Sequence, residues 1–379
     1  MDFNFFMPTK VFTGAHTIAD HAAEIALGKH ALIVTGKNSA RVSGALGDVT
    51  AALDKAGIGY TVYDRVTENP PVEMCHAGGA IARETGADFV IGIGGGSAID
   101  TAKAIAAYAV CPDAAPADIF DVKLPASGML PIVAIPTTAG TGSESNPYSV
   151  LTMPGGIQKK TFKPIPGGYP RVAFVDPRYT YSLNEDYTVS TALDAFSHAL
   201  ESFLSPKSNE SSEMHALFAA RQIWDVLFRG ADSVGETDAG GFTPVQRERL
   251  SLAALAAGIA INNTGTGFPH PLGYSITLAD GIPHGRACGA FAGAYIVYNM
   301  RTALGERKLM RFAAYLGTSP GEMARRIPMK ANVQLSFTHE EIDTHVNNIA
   351  LSGSMTNSPY LLSHEEIIMI YSTLFGERN

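Results

Sequence analysis

The sequence predicts an α/β N-terminal domain over residues 1–180, followed by an all-α C-terminal domain over residues 181–379. In the first half, short runs rich in Val and Ile alternate with helical patterns. Strand-like runs end near Tyr181, and long helical patterns follow. At 379 residues the chain is also too long for one ordinary domain, so two domains are expected.

The strands and helices of the first half alternate in order along the chain. The predicted strands are 31–34, 59–63, 88–93, 131–136 and 172–175, and the predicted helices between them are 41–56, 72–85 and 97–110. Continuous apolar strands separated by helices of this length are typical of a parallel sheet that is covered on both faces.

The second half contains only helical patterns. These cover 186–204, 209–229, 244–262, 286–303 and 307–316, with a tail helix around 365–374. The stretch 153–177 is rich in Pro and Gly, and we interpret it as the hinge between the two halves.

Composition and charge narrow the function classes. An apolar content of 46% excludes a disordered chain, and a net charge of −8 without a basic run argues against a nucleic-acid partner. The three cysteines are widely spaced, which is typical of reduced thiols in the cytoplasm. The N-terminus has no signal-peptide pattern, and no apolar run reaches the ~18 residues that a membrane span requires, so neither secretion nor membrane insertion is expected.

A glycine-rich turn, Gly94 to Ser97, lies between the third predicted strand and its helix. Glycine backbone without side chains and the free N–H groups at the start of a helix favour the binding of a pyrophosphate. Ser97 and Asp100 have the spacing of a capping box, which predicts where the helix begins. Since the motif ends in Ser rather than Gly, a phosphate site and a plain tight turn remain equal alternatives on the motif alone.

A second polar turn, at 136–144, follows the fourth predicted strand. Its hydroxyls and glycines are expected at the same carboxyl edge of the sheet, where open α/β folds bind ligands. A polar surface loop is the alternative.

Four residues of the second half suggest a metal site. Asp194 and His198 are four apart in a helical pattern, so they share a face, and buried polar groups there are costly unless paired or ligated. A simple Asp–His hydrogen bond is the alternative for that pair. His270 and His284 lie in segments framed by Gly and Pro, which we interpret as loops. Together the four suit a divalent metal with an open coordination position.

In combination and in order, these motifs resemble the iron-containing (group III) alcohol dehydrogenases. The matching segments are Asn69-Pro70, 94–103, 136–144 and 194–198. The resemblance implies a Rossmann-like domain that binds NAD or NADP and a helical domain that binds Fe²⁺, with Zn²⁺ possible. The implied metal ligands are Asp194, His198, His270 and His284. The implied cofactor contacts are Gly36, Asn69, Gly94, Gly95, Gly96, Ser97, Asp100, Thr137, Thr138, Thr141, Ser143 and Lys160.

The sequence departs from the family pattern at two places. Many members carry a catalytic histidine four residues after the third ligand, whereas this chain has Tyr274, whose ordinary pKa of about 10 makes it a poorer proton shuttle. Members that prefer NAD can carry an acid just after the first strand, where this chain has Gly36. Lys37 and Ser39 are suited to a 2′-phosphate, so NAD and NADP both remain open.

The predicted function is therefore a metal-dependent NAD(P)-linked alcohol dehydrogenase or aldehyde reductase. The resemblance implies a short-chain substrate, similar to lactaldehyde, propanediol, butanol or sulfoacetaldehyde. Two alternatives are a lyase of the dehydroquinate synthase type and a nucleotide-binding protein with a structural metal, although such metals usually have cysteine ligands. Phe3, Phe5 and Phe6 predict an apolar N-terminal strand that would pair across a homodimer or larger homo-oligomer.

Overall fold

A computed structural model describes residues 5–120, 128–163, 167–349 and 353–376. Its first half contains a six-stranded parallel sheet and a separate antiparallel pair. The strands are β1 Lys10–Thr13, β2 His30–Gly36, β3 Gly59–Val66, β4 Phe89–Gly94, β5 Ile132–Pro136, β6 Ser149–Thr152, β7 Lys159–Phe162 and β8 Val172–Val175.

The helices lie between these strands and throughout the second half. They are α1 Thr17–Asp20, α2 Ser39–Val42, α3 Ala45–Ala56, α4 Val72–Glu84, α5 Gly96–Tyr108, α6 Glu185–Leu204, α7 Glu210–Arg229, α8 Pro244–Thr264, α9 Pro269–Asp280, α10 His284–Asn299, α11 Ala303–Leu316, α12 Pro320–Ala331, α13 His339–Asn347 and α14 His364–Phe375.

The parallel sheet is buried on both faces, as the apolar strands predict. Ile33 and Ile91 belong to the hydrophobic core on one face, and their neighbours Leu32 and Val90 belong to the core on the other. This alternation follows from the two-residue period of a strand. The predicted fold class, an α/β half followed by a helical half, is confirmed.

The strand order β1-β8-β5-β4-β2-β3 creates a switch point between β2 and β4. From β2 the chain moves to β3 on one side, and it then crosses back to β4 on the other side. The register pairs Gly94 with Pro136 and Thr35 with Ile93, so β2, β4 and β5 end side by side. Open α/β sheets bind ligands outside the carboxyl ends of their strands at such a point.

From Glu185 onward, the described residues of the second half form helices and no strands. Aromatic side chains fill its core: the Phe196 ring centroid lies 6.0 Å from that of Trp224 and 6.1 Å from that of Phe312. No described helix combines the length and apolar character that a bilayer crossing requires.

The two halves meet through the loop that follows β5. A Cβ on Gly142 would lie 2.5 Å from Gly258 Cα of α8, and a Cβ on Gly140 would lie 2.9 Å from Thr191 Cβ of α6. Real Cβ atoms do not approach this closely, so glycine is needed at both positions. The loop therefore contacts both the sheet edge and the helices.

Several elements differ from the sequence prediction. Besides the predicted strand 172–175, which is β8, the predicted hinge 153–177 contains β7, which forms a hairpin with β6. Phe5 and Phe6 lie outside the strands of this chain, and Phe3 lies outside the described residues. The Phe6 carbonyl instead accepts a hydrogen bond from the Asn262 amide at 2.9 Å, and from Phe5 onward the first strand is β1, which begins at Lys10.

Candidate functional site

Three helices present the predicted metal ligands. Asp194 and His198 lie one turn apart on α6, His270 lies in the first turn of α9, and His284 is the first residue of α10. The interpretation of the last two as loop residues was wrong. Proline is well tolerated at a helix start, where its missing N–H has no partner in the helix, so Pro269 begins α9 rather than breaking it.

The three histidines surround one carboxylate oxygen. The distances from Asp194 Oδ1 to the Nε2 atoms are 3.7 Å for His198, 3.6 Å for His270 and 3.7 Å for His284. A tetrahedral ion with bonds of about 2.1 Å holds its ligand atoms roughly 3.4 Å apart. Each of the three nitrogens thus lies nearly as far from Asp194 Oδ1 as two ligands of one ion lie from each other.

Burial and hydrogen bonding support a cation at this point. Asp194 Oδ1 and His270 Nε2 are buried and have no hydrogen-bond partner among the described residues. Such unpartnered atoms cost roughly 1–3 kcal/mol each unless something binds them. The side chain of His284 is 24% exposed, against 5% for Asp194, so the cluster is open on one side. This donor set fits a divalent ion with room for a further ligand.

The electrostatics of the ligands also favour a cation. Burial lowers the pKa of His198 to about 4, and burial lowers the pKa of His284 well below its usual value. Burial opposes ionisation of Asp194, but His198 and the other imidazoles together lower its pKa. His198 and His284 are therefore neutral and Asp194 is ionised, which are the protonation states that metal ligands need.

A buried carboxylate that the sequence analysis missed holds His270 in place. Glu201 accepts hydrogen bonds from His270 Nδ1 at 2.8 Å and from Gly267 N at 2.6 Å. Burial opposes a charge on His270, yet Glu201 and Asp194 raise its pKa to about 10. Without a metal His270 is therefore protonated at neutral pH, and a cation at Nε2 would displace that proton. With Nδ1 held by the carboxylate, the freed Nε2 lone pair is directed toward the metal. The available signal was the spacing of Asp194, His198 and Glu201, which places all three on one helical stripe.

The glycine turn and the second polar turn meet at the carboxyl edge of the sheet. Thr137 N donates a hydrogen bond to Gly94 O at 2.9 Å. A Cβ on Gly95 would lie 3.2 Å from Thr138 Oγ1, and a Cβ on Gly96 would lie 3.0 Å from Thr141 Oγ1. The structure therefore brings these predicted cofactor residues together and leaves bare backbone between them.

The predicted capping box at the start of α5 is wrong. Gly95 is the N-cap, and the cap has no side-chain hydrogen bond. Asp100 instead accepts a hydrogen bond from Ser143 Oγ at 2.6 Å and another from Val150 N at 2.8 Å. These tertiary partners replace the local one. Asp100 and Ser143 are both buried, so they tie the second turn to α5.

Lys103 reinforces this connection from the next turn of α5. Its fully buried ammonium donates to the carbonyl oxygens of Ser143 at 2.7 Å, Asn146 at 2.9 Å and Tyr148 at 2.6 Å. Burial lowers the pKa of Lys103 to about 8, although Asp100 opposes the shift. The loop that follows β5 is thus anchored by a buried Lys–Asp pair.

Comparison with known proteins identifies the family. The protein-family model described as "Iron-containing alcohol dehydrogenase" matches residues 8–177. The family model for the C-terminal region of the same family matches residues 188–375. The chain belongs to the iron-containing alcohol dehydrogenases. The predicted family and its oxidoreductase class are confirmed, and the lyase alternative is not favoured.

Individual relatives cover almost the whole chain. The long-chain primary alcohol dehydrogenase of Thermoanaerobacter ethanolicus is 30% identical, covering 91% of this chain and 89% of the relative. An iron-containing alcohol dehydrogenase from Thermotoga maritima matches with a TM-score of 0.89 and 34% identity, over 99% of both chains. Sulfoacetaldehyde reductase from Bifidobacterium kashiwanohense, solved with NAD⁺, matches with a TM-score of 0.84 and 28% identity, over 99% of both chains.

In this iron-containing alcohol dehydrogenase, Lys159 rather than Lys160 faces the candidate metal centre. The Lys159 ammonium lies 4.9 Å from the centroid of the Tyr274 ring, and burial lowers its pKa to about 8. Lys160 is exposed and lies over Phe120, at 5.1 Å. Successive side chains of a strand point to opposite sides, so only one of the two lysines can face the cleft.

Tyr274 forms a wall of the site. Its ring stacks on His284 at 5.0 Å and meets His270 edge-on at 6.3 Å. Burial raises the pKa of Tyr274 well above its usual value. The side chain thus remains protonated at neutral pH and is suited to donating a hydrogen bond rather than to relaying a proton.

The remaining predicted cofactor residues lie around the same sheet edge. Gly36 ends β2, next to the end of β4. Asn69 has a positive φ of 51°, and its carbonyl accepts a hydrogen bond from Thr152 Oγ1 at 2.8 Å. Asn69 therefore joins the segment after β3 to the β6–β7 hairpin.

Proposed function

We propose that this chain is a metal-dependent, NAD(P)-linked alcohol dehydrogenase that also reduces the corresponding aldehydes. The observation that carries the proposal is the convergence of three imidazole nitrogens on Asp194 Oδ1. The helix that bears Asp194 also bears Thr191, which packs against the loop at the carboxyl edge of the sheet. A metal centre and a dinucleotide cleft would thus be neighbours.

Each part of the site has a role in this proposal. Asp194, His198, His270 and His284 would hold Fe²⁺ or Zn²⁺. A divalent ion supplies Lewis-acid polarisation of the C–O group of the substrate, and the nicotinamide accepts or returns the hydride. The turn at 94–97 would bind the pyrophosphate through backbone N–H groups. Glu201 orients His270, and Tyr274 would donate a hydrogen bond toward the substrate.

The substrate is proposed only as a class. The names of the relatives range from long-chain primary alcohols to sulfoacetaldehyde, and the sequence resemblance implies lactaldehyde, propanediol or butanol as well.

A cofactor-oxidation screen tests this function. The protein is loaded with Fe²⁺ in anaerobic buffer, and oxidation of NADH and NADPH is followed with short neutral and anionic aldehydes. Aldehyde-dependent oxidation is expected. Binding of metal and cofactor without turnover would favour a structural metal, and product formation without net oxidation would favour a lyase.

Replacing Gly36 with Asp should shift the preference toward NAD. A Cβ here would lie 3.4 Å from Val66 O and 3.5 Å from Ser39 Oγ, so the side chain fits. The carboxylate would accept from the ribose hydroxyl and repel a 2′-phosphate. A charge-assisted hydrogen bond is worth roughly 1.5–3 kcal/mol, so the NAD-to-NADP ratio of kcat/KM should rise about tenfold or more.

The matched control is Gly321→Asp, which adds the same charge to an exposed helical site with no atom within 4 Å of the new Cβ. The NAD-to-NADP ratio of kcat/KM in this control should equal that of the parent protein. An unchanged ratio in Gly36→Asp would show that the end of β2 is not the ribose site.

Neutralising the two adjacent lysines separately tests which one contacts the cofactor. We expect Lys159→Met to reduce kcat/KM for the cofactor about 10- to 100-fold, because a charge-assisted contact is worth roughly 1.5–3 kcal/mol. Lys160→Met should behave like the parent, because its ammonium lies over Phe120. A loss of kcat/KM in Lys160→Met but not in Lys159→Met would instead support the sequence-based assignment of the cofactor contact to Lys160.

We also propose a cytoplasmic homodimer or larger homo-oligomer, with domains at 1–180 and 181–379. In this chain β1 is an edge strand, and Phe5 and Phe6 beside it are 38% and 50% exposed. An open edge with apolar neighbours is an aggregation hazard that subunit pairing removes. Light scattering at micromolar concentration should give at least twice the 40.0 kDa mass of one chain. A monomeric mass would contradict the proposal.

A further inference from the structure

A cysteine lies beside the proposed metal ligands. Cys288 follows His284 by one turn of α10, and its Sγ is 3.6 Å from His284 Nε2. Potential ligand atoms of Asp194, His270, His284 and Cys288 all lie within 4.8 Å of one another. The cysteine is fully buried, so its sulfur faces this cluster rather than solvent.

The distance between sulfur and nitrogen matches that of two ligands of one ion. Zinc binds histidine nitrogen at about 2.0–2.1 Å and cysteine sulfur at about 2.3 Å, which in tetrahedral geometry separates the two atoms by roughly 3.6 Å. A weak S–H···N hydrogen bond is the simpler explanation of the same distance. It leaves Asp194 Oδ1 and His270 Nε2, both buried, without partners among the described residues.

The packing around the sulfur supports a fixed position. A Cβ on Gly273 of α9 would lie 3.3 Å from Cys288 Sγ and 3.2 Å from Cys288 N. Glycine at this position lets α9 and α10 approach closely, and the approach places the sulfur next to the histidines that begin both helices. Fixed geometry of this kind is what a metal ligand requires.

We propose that Cys288 is a metal ligand for thiophilic divalent ions such as zinc and cobalt. It would share Asp194, His270 and His284 with the ligand set that contains His198, so the centre offers two overlapping sets of four donors. On binding, the S–H bond breaks as the S–metal bond forms, and the proton leaves to solvent without electron transfer. This inference rests on the metal site of the proposed function.

The consequence concerns metal selectivity. Thiolates suit zinc, whereas imidazole and carboxylate ligands also suit iron. A centre with both kinds of fourth donor can hold either ion in a favourable geometry. With Cys288 as a donor the centre is not free of cysteine, so its open side at His284, rather than its ligand types, distinguishes it from a closed structural metal site.

Cobalt substitution of the full-length protein tests the proposal. Bound Co²⁺ gives visible d–d bands, and a thiolate ligand adds a charge-transfer band in the near ultraviolet. We expect both features in the parent protein. Cys288→Ser should lose the charge-transfer band while keeping the d–d bands, which also show that the site is folded and loaded. Cys111→Ser is the control and should keep both features.

A second variant distinguishes the loss of a sulfur ligand from misfolding of Cys288→Ser. The chain has three cysteines, so Cys75→Ala/Cys111→Ser retains only Cys288 as a thiol and should keep the charge-transfer band. Visible d–d bands without charge transfer in the parent would overturn the role of Cys288 and leave the metal centre intact. A charge-transfer band that persists in Cys288→Ser would overturn it as well. Failure to bind cobalt would overturn the metal centre itself.

Discussion

Replacing His284 with Ala is expected to abolish hydride transfer while cofactor binding is retained. The Nε2 atom of His284 lies 3.7 Å from Asp194 Oδ1, so the substitution removes one of the four proposed ligands. The glycine turn lies on the other half of the chain and should still bind NAD(P). Lewis-acid stabilisation is worth several kcal/mol, so kcat should fall by about 10³-fold or more.

The control for this experiment is His215→Ala. His215 lies on α7, where its Nδ1 is 2.7 Å from the Ser211 carbonyl and its ring stacks near Phe5. In His215→Ala, the metal content measured by mass spectrometry and the cofactor binding measured by fluorescence should match those of the parent protein. Full metal and turnover in His284→Ala would refute the site, and equal losses in His215→Ala would mean that a ligand is misplaced.

The parallel sheet and the long helices could be predicted from the sequence because their signals are local. Buried parallel strands appear as apolar runs, such as the run that forms β4, and amphipathic helices such as α3 repeat their apolar residues at helical spacing. The β6–β7 hairpin could not be predicted in the same way. Its strands are only four residues long, and β7 begins with two lysines.

The metal ligands and the residues that support them also differ in whether a local sequence pattern reveals them. Asp194 and His198 could be found because they share one helix. His270 and His284 were candidates from their Gly- and Pro-framed segments, and the resemblance implied the same four ligands. The contacts of Glu201 and Cys288 with this cluster depend on how α6, α9 and α10 pack together. The spacing of Asp194, His198 and Glu201 indicates a shared helix face, but no spacing along the chain indicates which helices pack against that face. The same holds for Asp100, whose local capping pattern is overridden by partners 43 and 50 residues away.

The assignment of His270 and His284 to loops shows a more specific cause of error. Pro and Gly near each histidine were interpreted as breakers, but Pro269 and Pro283 lie at helix starts, where proline is favourable. Gly285 is required for a different reason, since it lies where α10 contacts α6. Gly285 therefore determines how closely α10 approaches α6, and both of these helices bear proposed ligands.

Replacing Gly285 with Ala is expected to be among the most damaging single-methyl changes near the site. The new Cβ would overlap the Ser190 carbonyl oxygen and lie 2.9 Å from Asp194 N. Both atoms belong to the backbone of α6, so no side-chain rotation can relieve the overlap. The first turn of α10 would have to move away from α6, which separates His284 from Asp194.

The expected cost is at or above the upper end of the roughly 1–3 kcal/mol that overpacking usually causes. Chemical denaturation should show this loss of stability, and the fraction that remains folded should have reduced metal content. Gly47→Ala is the matched control, since it lies on the exposed side of α3 with no atom within 4 Å of the new Cβ. It should be neutral or raise the free energy of unfolding by about 0.4–1 kcal/mol. If Gly285→Ala kept the stability and metal content of the parent, the close packing of α10 on α6, and with it the arrangement of His284 and Asp194 described above, would be wrong.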